Sequence, residues 1–522
     1  MNCLGDILLK NAAEAPERTA VISGERSLTY RQLNEKSNRL ANSLSGYGLG
    51  SGDRVAVLLG NSIDWLVTWY ACHKLGIGVV LVHVRLLPEE LARTIELAGA
   101  GVLIYGIEHV EKAAYIEANC PSVKRCIACG YGSHESPEGH VSLETLLETG
   151  PDTEAQRELQ GDEPSVILFT SGTTGVSKGI VRTQEMMSAY ARVLAEGSPA
   201  GSGKAEVMLT PAPLYHAAGL CCAVKMAVLA GTLVLINGFD PKKICSQIEK
   251  HRATQVALVP PVSYQRLKCS GAVNDHDLSS VRLVHITAGK TTAECLADIL
   301  GSFPNAEIRT SWGSTEASNV TYAVLSREQF AEKPELMRTV GRVNSVSEIK
   351  LVDDNGAEPP DGQPGEAYVR SPLVFHGYID LPEETERCFE DGWFKTEDIM
   401  YRDGDGYYYL MDRKRDIVKT GGENVYAQEV ERAILTHPSI EDCAVVGIPD
   451  PRFGEAIAAA VVLRPGCTLE PEEFIAFCKK SLPSYKKPRY LAIMNQLPEN
   501  DIGKVQKNVL CRDAAKLFKK IV

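Results

Sequence analysis

Short apolar runs recur through the first half of the chain, and each gives way to a segment of helical periodicity. Asp53 to Leu59, Val79 to Val82, Val102 to Tyr105 and Val166 to Phe169 are such runs, with helical stretches such as Ser62 to Leu75 between them. A continuous apolar run suits a strand covered on both faces, and strands alternating with helices build a parallel sheet. The expected class is α/β. Val256 to Val259 and Leu283 to Ile286 extend the pattern, each leading into small or polar residues where open α/β sheets bind ligands.

Beyond Gly341 the pattern changes. Glu348 to Val352, Gly365 to Val369 and Tyr407 to Leu410 are short strands between Asp/Gly/Pro turns, so residues 341–412 read as a small β-rich subdomain. A charged connector, RKRD, follows Asp412 and leads into a compact tail with helices at Ala427 to Thr436 and Pro471 to Ser481. The expected plan is a large N-terminal domain over 1–412, a hinge at 413–417 and a small mobile α+β lid over 418–522.

One strand end stands apart. Val166 to Phe169 runs into Thr170, Ser171, Gly172, Thr173, Thr174 and Gly175, and the stretch closes on Lys178 and Gly179. Glycines let backbone N–H groups turn toward one point, hydroxyls add donors, and a lysine adds charge, which together suit a polyphosphate. It is not a Walker A loop, because the residue before the lysine is Ser177 and not glycine.

Composition narrows the partners. The chain has 522 residues, a formal net charge of -12, and 44% hydrophobic residues. A negative balance argues against nucleic acid and anionic membrane, while a few local lysines still suffice for ATP at short range. The N-terminus lacks the apolar core of a signal peptide, and the most apolar stretch, Cys221 to Ile236, is interrupted by Lys225 and too short to span a bilayer. A cytoplasmic enzyme is expected. Fifteen scattered cysteines fit reduced thiols, and the C-x-x-C at Cys126 and Cys129 lacks a second ligand pair at zinc spacing.

The wording of several segments resembles the acyl-adenylate-forming enzymes, which include acyl-CoA synthetases, the adenylation domains of peptide synthetases, and luciferase. That family's phosphate loop reads S-G-T-T-G-x-x-K-G, as Ser171 to Gly179 reads here. SLTYRQLNEKSNRLANSL, GSGDRVAVLLGNS and HKLGIGVVLV are similar to its N-terminal wording, so the likeness covers essentially the whole chain.

The resemblance implies a site residue by residue. Thr170 to Thr174 and Lys178 would cradle the departing pyrophosphate. Trp312 to Glu316 matches the motif Y-G-x-T-E, with Trp312 in place of tyrosine as an adenine face, Gly313 for close approach, and Thr315 with Glu316 to hold Mg²⁺. Asp398, in a T-E-D that replaces T-G-D, would take the ribose hydroxyls, with Glu397 where glycine is usual. Arg413 matches the ribose- and phosphate-contacting arginine, and Arg415 the hinge position. Lys504, after Pro498 and Gly503, matches the catalytic lysine that lies between carboxylate and α-phosphate.

For the acid, His216 stands at P-L-x-H in a positioning or gating role, near the small residues Ala218 and Ser311. Gly289, Lys290 and Thr291 fall in AGKTTA, the counterpart of S-G-A-A-P-L, which lines adenine and acyl group; Thr291 would face ATP. An inward Lys290 would favour a second anionic or polar group. Gly421 and Gly422 would guide the thiol. The implied reaction is acid plus ATP to acyl-AMP and pyrophosphate, then coenzyme A to thioester and AMP, by alternation of the lid.

Three other readings stand beside it. A stand-alone adenylation enzyme would load a carrier-protein thiol, a luciferase-like oxygenase would need a specialised substrate, and a nucleotide-binding regulator would adenylate nothing. The sequence does not choose the acid, and a homodimer stays open.

Overall fold

The structure is a computed structural model of the chain. It describes all residues except 1–2, 131, 133–135, 156–158, 171–177, 197–204, 259–261, 288–292, 500–504 and 522, and the side chains of 170, 262, 293 and 294. The chain forms two compact units. The first comprises Met1–Leu336, Val343–Glu348 and Val369–Phe394, and the second Met337–Arg342, Ile349–Tyr368 and Lys395–Val522. Asp398 thus belongs to the unit that also holds the tail.

The first unit contains the parallel sheets expected from the alternation. A seven-stranded sheet runs in the order Val141–Ser142, Arg125–Cys129, Val102–Gly106, Arg54–Leu58, Gly78–Leu81, Pro164–Thr170, Lys178–Thr183. All its pairings are parallel except the last, where Phe169 faces Gly179 and Thr170 faces Lys178 across an antiparallel ladder. Lys178–Thr183 is the edge strand, so Lys178 stands at the edge of a sheet. A second sheet includes, in order, Ser318–Leu325, Glu307–Ser314, Leu283–Ile286, Gln255–Ala257, Val207–Thr210, Thr232–Leu235, Thr19–Ser23 and Arg26–Thr29.

The helix Ile63–Leu75 accounts for much of the core. Ser62 caps it by accepting from the Trp65 amide at 3.1 Å, and Gly76 ends it at φ 70° in the left-handed region. Its apolar residues lie on every side, and all but Asp64 are buried, with Trp65 and Trp69 wholly enclosed. A helix apolar all round must lie inside, and one cluster of buried side chains joins it to strands of both sheets, from Val55 and Val79 to Val21 and Leu233. Replacing Trp69 by alanine would cost about 3–5 kcal/mol.

The second unit pairs Trp393–Arg402 with Tyr408–Arg413 in antiparallel register, setting Asp398 opposite Arg413. Asp412 is buried and accepts from the amides of Arg413 and Gln428, both at 2.9 Å, which ties the end of that strand to the first turn of the helix Ala427–Ile434. The hairpin Ile417–Thr420 with Glu423–Tyr426 turns on Gly421 and Gly422, at φ 60° and 88°. Two consecutive left-handed residues define the tight turn that suits twisted strands, and glycine is the residue for it.

Candidate active site

In the first unit, strand alternation places Lys178 and Arg182, four residues apart, on one face of the strand Lys178–Thr183. Arg182 is fully buried and donates from Nη2 to the carbonyl of Thr315 at 2.9 Å. The next residue, Glu316, accepts at Oε1 from the Tyr378 hydroxyl at 3.1 Å. Tyr378 is fixed by its own amide, which donates to Thr385 Oγ1 at 2.9 Å, and by its chain neighbours. Ile379 N–H donates to Gly179 C=O at 2.9 Å, and Phe375 N–H donates to Glu316 C=O at 2.7 Å. This segment therefore lies against both the lysine strand and the Glu316 turn. Lys178 Nζ stands 4.9 Å from the centre of the Tyr378 ring and pairs with Glu384.

The electrostatics follow from that packing. Burial, and then the Glu316 carboxylate, hold the Tyr378 phenol far above its ordinary value, so it stays a hydrogen-bond donor. Burial lowers the Arg182 guanidinium, and Glu316 and Tyr190 act in the opposite direction. Trp312 is buried on the strand Glu307–Ser314, where the ladder to Ser318–Leu325 slips between Trp312 and Gly313. A β-carbon on Gly313 would fall 1.7 Å from the Ser318 carbonyl oxygen, so only glycine fits that turn.

His216 precedes the helix Ala217–Val228 and packs among the rings of His83 at 4.9 Å and Tyr215 at 5.0 Å. Burial, with help from His83 and Arg85, pushes its pKa down to about 3, so the imidazole is neutral at pH 7. Ala218 lies in the first turn of that helix, and Ser311 stands opposite Tyr322.

In the second unit, Asp398 is buried and Arg413 Nε lies 3.0 Å from its Oδ1. Glu397 has φ 60°, which explains why glycine suits this position; its side chain is exposed, with Arg415 Nη1 at 4.0 Å. Gly421 N–H donates to the carbonyl of Phe453 at 2.9 Å, anchoring one side of the glycine turn.

Thr170 ends its strand. Ser171, Gly172, Thr173, Thr174, Gly289, Lys290, Thr291 and Lys504 lie outside the described residues. Among the rest, Lys178, Thr315 and Glu316 come together in the first unit, and Asp398 with Arg413 in the second. Tyr378, Arg182, Glu384 and Asp412 are partners that the motifs did not disclose. The isolated C-x-x-C also has unforeseen neighbours: ligand atoms of Cys126, Glu117 and His140 lie within 4.8 Å of one another. His140 already spends both ring nitrogens, on Glu117 at 3.1 Å and Tyr105 at 2.6 Å, and burial pushes the Cys126 thiol up to about 12. Neither group is prepared for a metal.

Residues 8–379 match the family model described as AMP-binding enzyme, and residues 429–504 match its C-terminal domain. The chain belongs to the AMP-binding enzymes. Among curated members, a feruloyl-CoA synthase of Amycolatopsis is 33% identical over 511 residues, 98% of each chain. Among solved AMP-binding enzymes, the anthranilate CoA ligase AuaEII with anthranoyl-AMP superposes at a TM-score of 0.89, at 26% identity, over 98% of this chain and 97% of that one. ATP-bound MatB of Rhodopseudomonas palustris gives 0.86, at 27% identity, over 97% and 98%. Within the family, then, the protein is most like the acyl-CoA synthetases. No described helix is long and apolar enough to cross a membrane.

Proposed function

We propose that this AMP-binding enzyme is a carboxylic acid:CoA ligase that works in two half-reactions. The carboxylate oxygen attacks the α-phosphorus of ATP, a new C–O–P linkage forms, and the bond to the β-phosphate oxygen breaks to release pyrophosphate. The coenzyme A thiol then attacks the acyl carbon, loses its proton, and displaces AMP. The observation that carries the reading is the meeting of Lys178, Tyr378 and Glu316 at the end of the strand pair that opens toward 171–177.

Lys178 would follow the charge that builds on the leaving pyrophosphate, exchanging Glu384 for a phosphate oxygen. Thr315 and Glu316 offer hard oxygen donors, and a carboxylate holding one Tyr378 hydrogen bond keeps further lone pairs. They fit Mg²⁺, which would neutralise phosphate charge when bound. Asp398 would accept from the ribose, with Arg413 holding the carboxylate in place. His216, neutral, would orient acid and thiol rather than transfer a proton. Lys504 would lie between the two reacting anions, and Gly421 with Gly422 would border the thiol path after rotation at Arg415.

The test is acid-dependent pyrophosphate release from ATP, followed by addition of coenzyme A or a carrier protein. Thioester formation with coenzyme A alone supports the proposal; a carrier requirement replaces it with the carrier-loading reading. Lys504→Ala should abolish pyrophosphate release yet leave added acyl-AMP reactive toward thiol. Loss of both activities in a folded variant would count against alternation.

A further inference from the structure

Two cations of the first unit have no part in the reaction as derived. Lys225 is 1% exposed and Arg309 3%. Among the described residues, Lys225 Nζ and Arg309 Nη2 have no hydrogen-bond partner, and neither side chain ion-pairs with a carboxylate. Arg309 donates from Nη1 to the carbonyl of Glu196 at 2.5 Å and lies 4.5 Å from the Tyr322 ring. The nearby carboxylates are committed elsewhere. Glu206 accepts from Thr254, Gln255 and Arg282, and Glu196 from Ser345.

The two cations sense each other. Burial first, and then Arg309, hold the Lys225 ammonium down to about 7. His285, in register with Arg309 on the adjoining strand, is held neutral by burial and then by Lys225 and Arg309. Cys221 and Cys222 face the same group. A buried cation without a counter-ion is strongly disfavoured, and two together more so.

Their positions give the reason to keep them. Ala218, Cys221, Cys222 and Lys225 fall on one face of the helix Ala217–Val228, at spacings of three, four and seven residues. Helical side chains lean toward the N-terminus, so the lysine stem runs back along that face toward Ala218. Arg309 precedes Ser311 by two residues and shares its sheet face. The helix face and the sheet face that carry the acid-pocket candidates Ala218 and Ser311 thus each carry a cation farther in.

We infer that Lys225 and Arg309 read a second carboxylate on the acid, so that the substrate class is compact dicarboxylic acids. This rests on the ligase reading above. Two strand residues span about 7 Å, so the second carboxylate lies roughly that far from the reacting one, as across a six-carbon chain or a substituted ring.

The experiment compares matched acids, adipate with hexanoate and terephthalate with benzoate, on wild type, Lys225→Met and Arg309→Met. Thermal stabilisation by the acid alone and kcat/KM from pyrophosphate release are both read. The inference expects dicarboxylates to stabilise wild type but neither variant, and the dicarboxylate preference in kcat/KM to fall about 100-fold or more, mainly through KM for the acid. The KM for ATP should stay constant, and Lys225→Arg should restore part of the preference. Stabilisation lost in both variants, without pyrophosphate release from any acid, would uphold the anion site and sink the ligase reading. Release favouring monocarboxylates, or a preference unchanged in both variants, overturns the inference and leaves the ligase intact. Neither stabilisation nor release by any acid overturns the inference.

Discussion

Lys178 and Lys225 are lysines of the same unit in opposite circumstances. Lys178 stands at a strand end, partly solvated, with Glu384 beside it and the Tyr378 ring beneath. Lys225 lies buried in the last turn of its helix, facing Arg309 and, among the described residues, no paired carboxylate. The first cation is neutralised before any ligand arrives, so a phosphate must displace a carboxylate to reach it. The second is held at the expense of stability, and an incoming anion would relieve it. The contrast teaches that a site's selectivity can be stored as local instability in one place and as a competing ion pair in another.

The sharpest way to break this comparison is to remove the solvated lysine. Lys178→Ala should lower acid-dependent pyrophosphate release about 100-fold or more, since charge stabilisation of that kind is worth about 3 kcal/mol in the transition state. Thioester formation from added acyl-AMP should change little, and equal loss in both assays would assign Lys178 to the fold.

Removing the buried lysine should do the reverse to stability. Lys225→Met replaces an unpaired charge by a side chain of similar length, and is expected to stabilise the protein by about 1–4 kcal/mol, read as a raised Tm. The pH dependence has a definite sign. With the folded amine near 7 and the unfolded one near 10.5, the unfolded chain binds more protons across that interval. The lysine's contribution to stability therefore rises from pH 7 toward 10.5, and wild type should gain on Lys225→Met across it. Parallel curves would show that Lys225 titrates normally.

Smaller effects sharpen the other half. Glu384→Gln frees Lys178 of its competitor and should lower the KM for ATP about two- to fivefold, with a stability change under about 1 kcal/mol because the pair is partly exposed. Glu397→Gly relieves a left-handed backbone at φ 60° and should stabilise the second unit by about 1 kcal/mol in urea unfolding.

Much of this was legible in the sequence because it is local. Strand periodicity and the double glycine at 421 and 422 each declare themselves within a few residues. Glu316 was legible by motif, but its partner Tyr378 lies 62 residues on and carries no local mark. Arg182 reads as a polar residue on an alternating strand, and only the fold sets it beneath Thr315. Lys225 was visible as the break in an apolar run, yet periodicity says that a residue is buried without saying what it faces. The exposed Glu397 shows the same limit. Its strain is a property of φ, which no side-chain pattern reports.

The pairing of Val21 with Leu233 has a consequence in time. The strand Thr19–Ser23 leaves the ribosome some 210 residues before its parallel neighbour Thr232–Leu235 does, an interval of about 10–40 s at usual elongation rates. During that delay the tryptophan faces of Ile63–Leu75 lack the part of their enclosure that Leu233 and Leu235 supply to the same cluster. A nascent chain of this protein is therefore a natural client for chaperones that shield apolar surface, and slow codons ahead of residue 233 would lengthen its exposure rather than assist its folding.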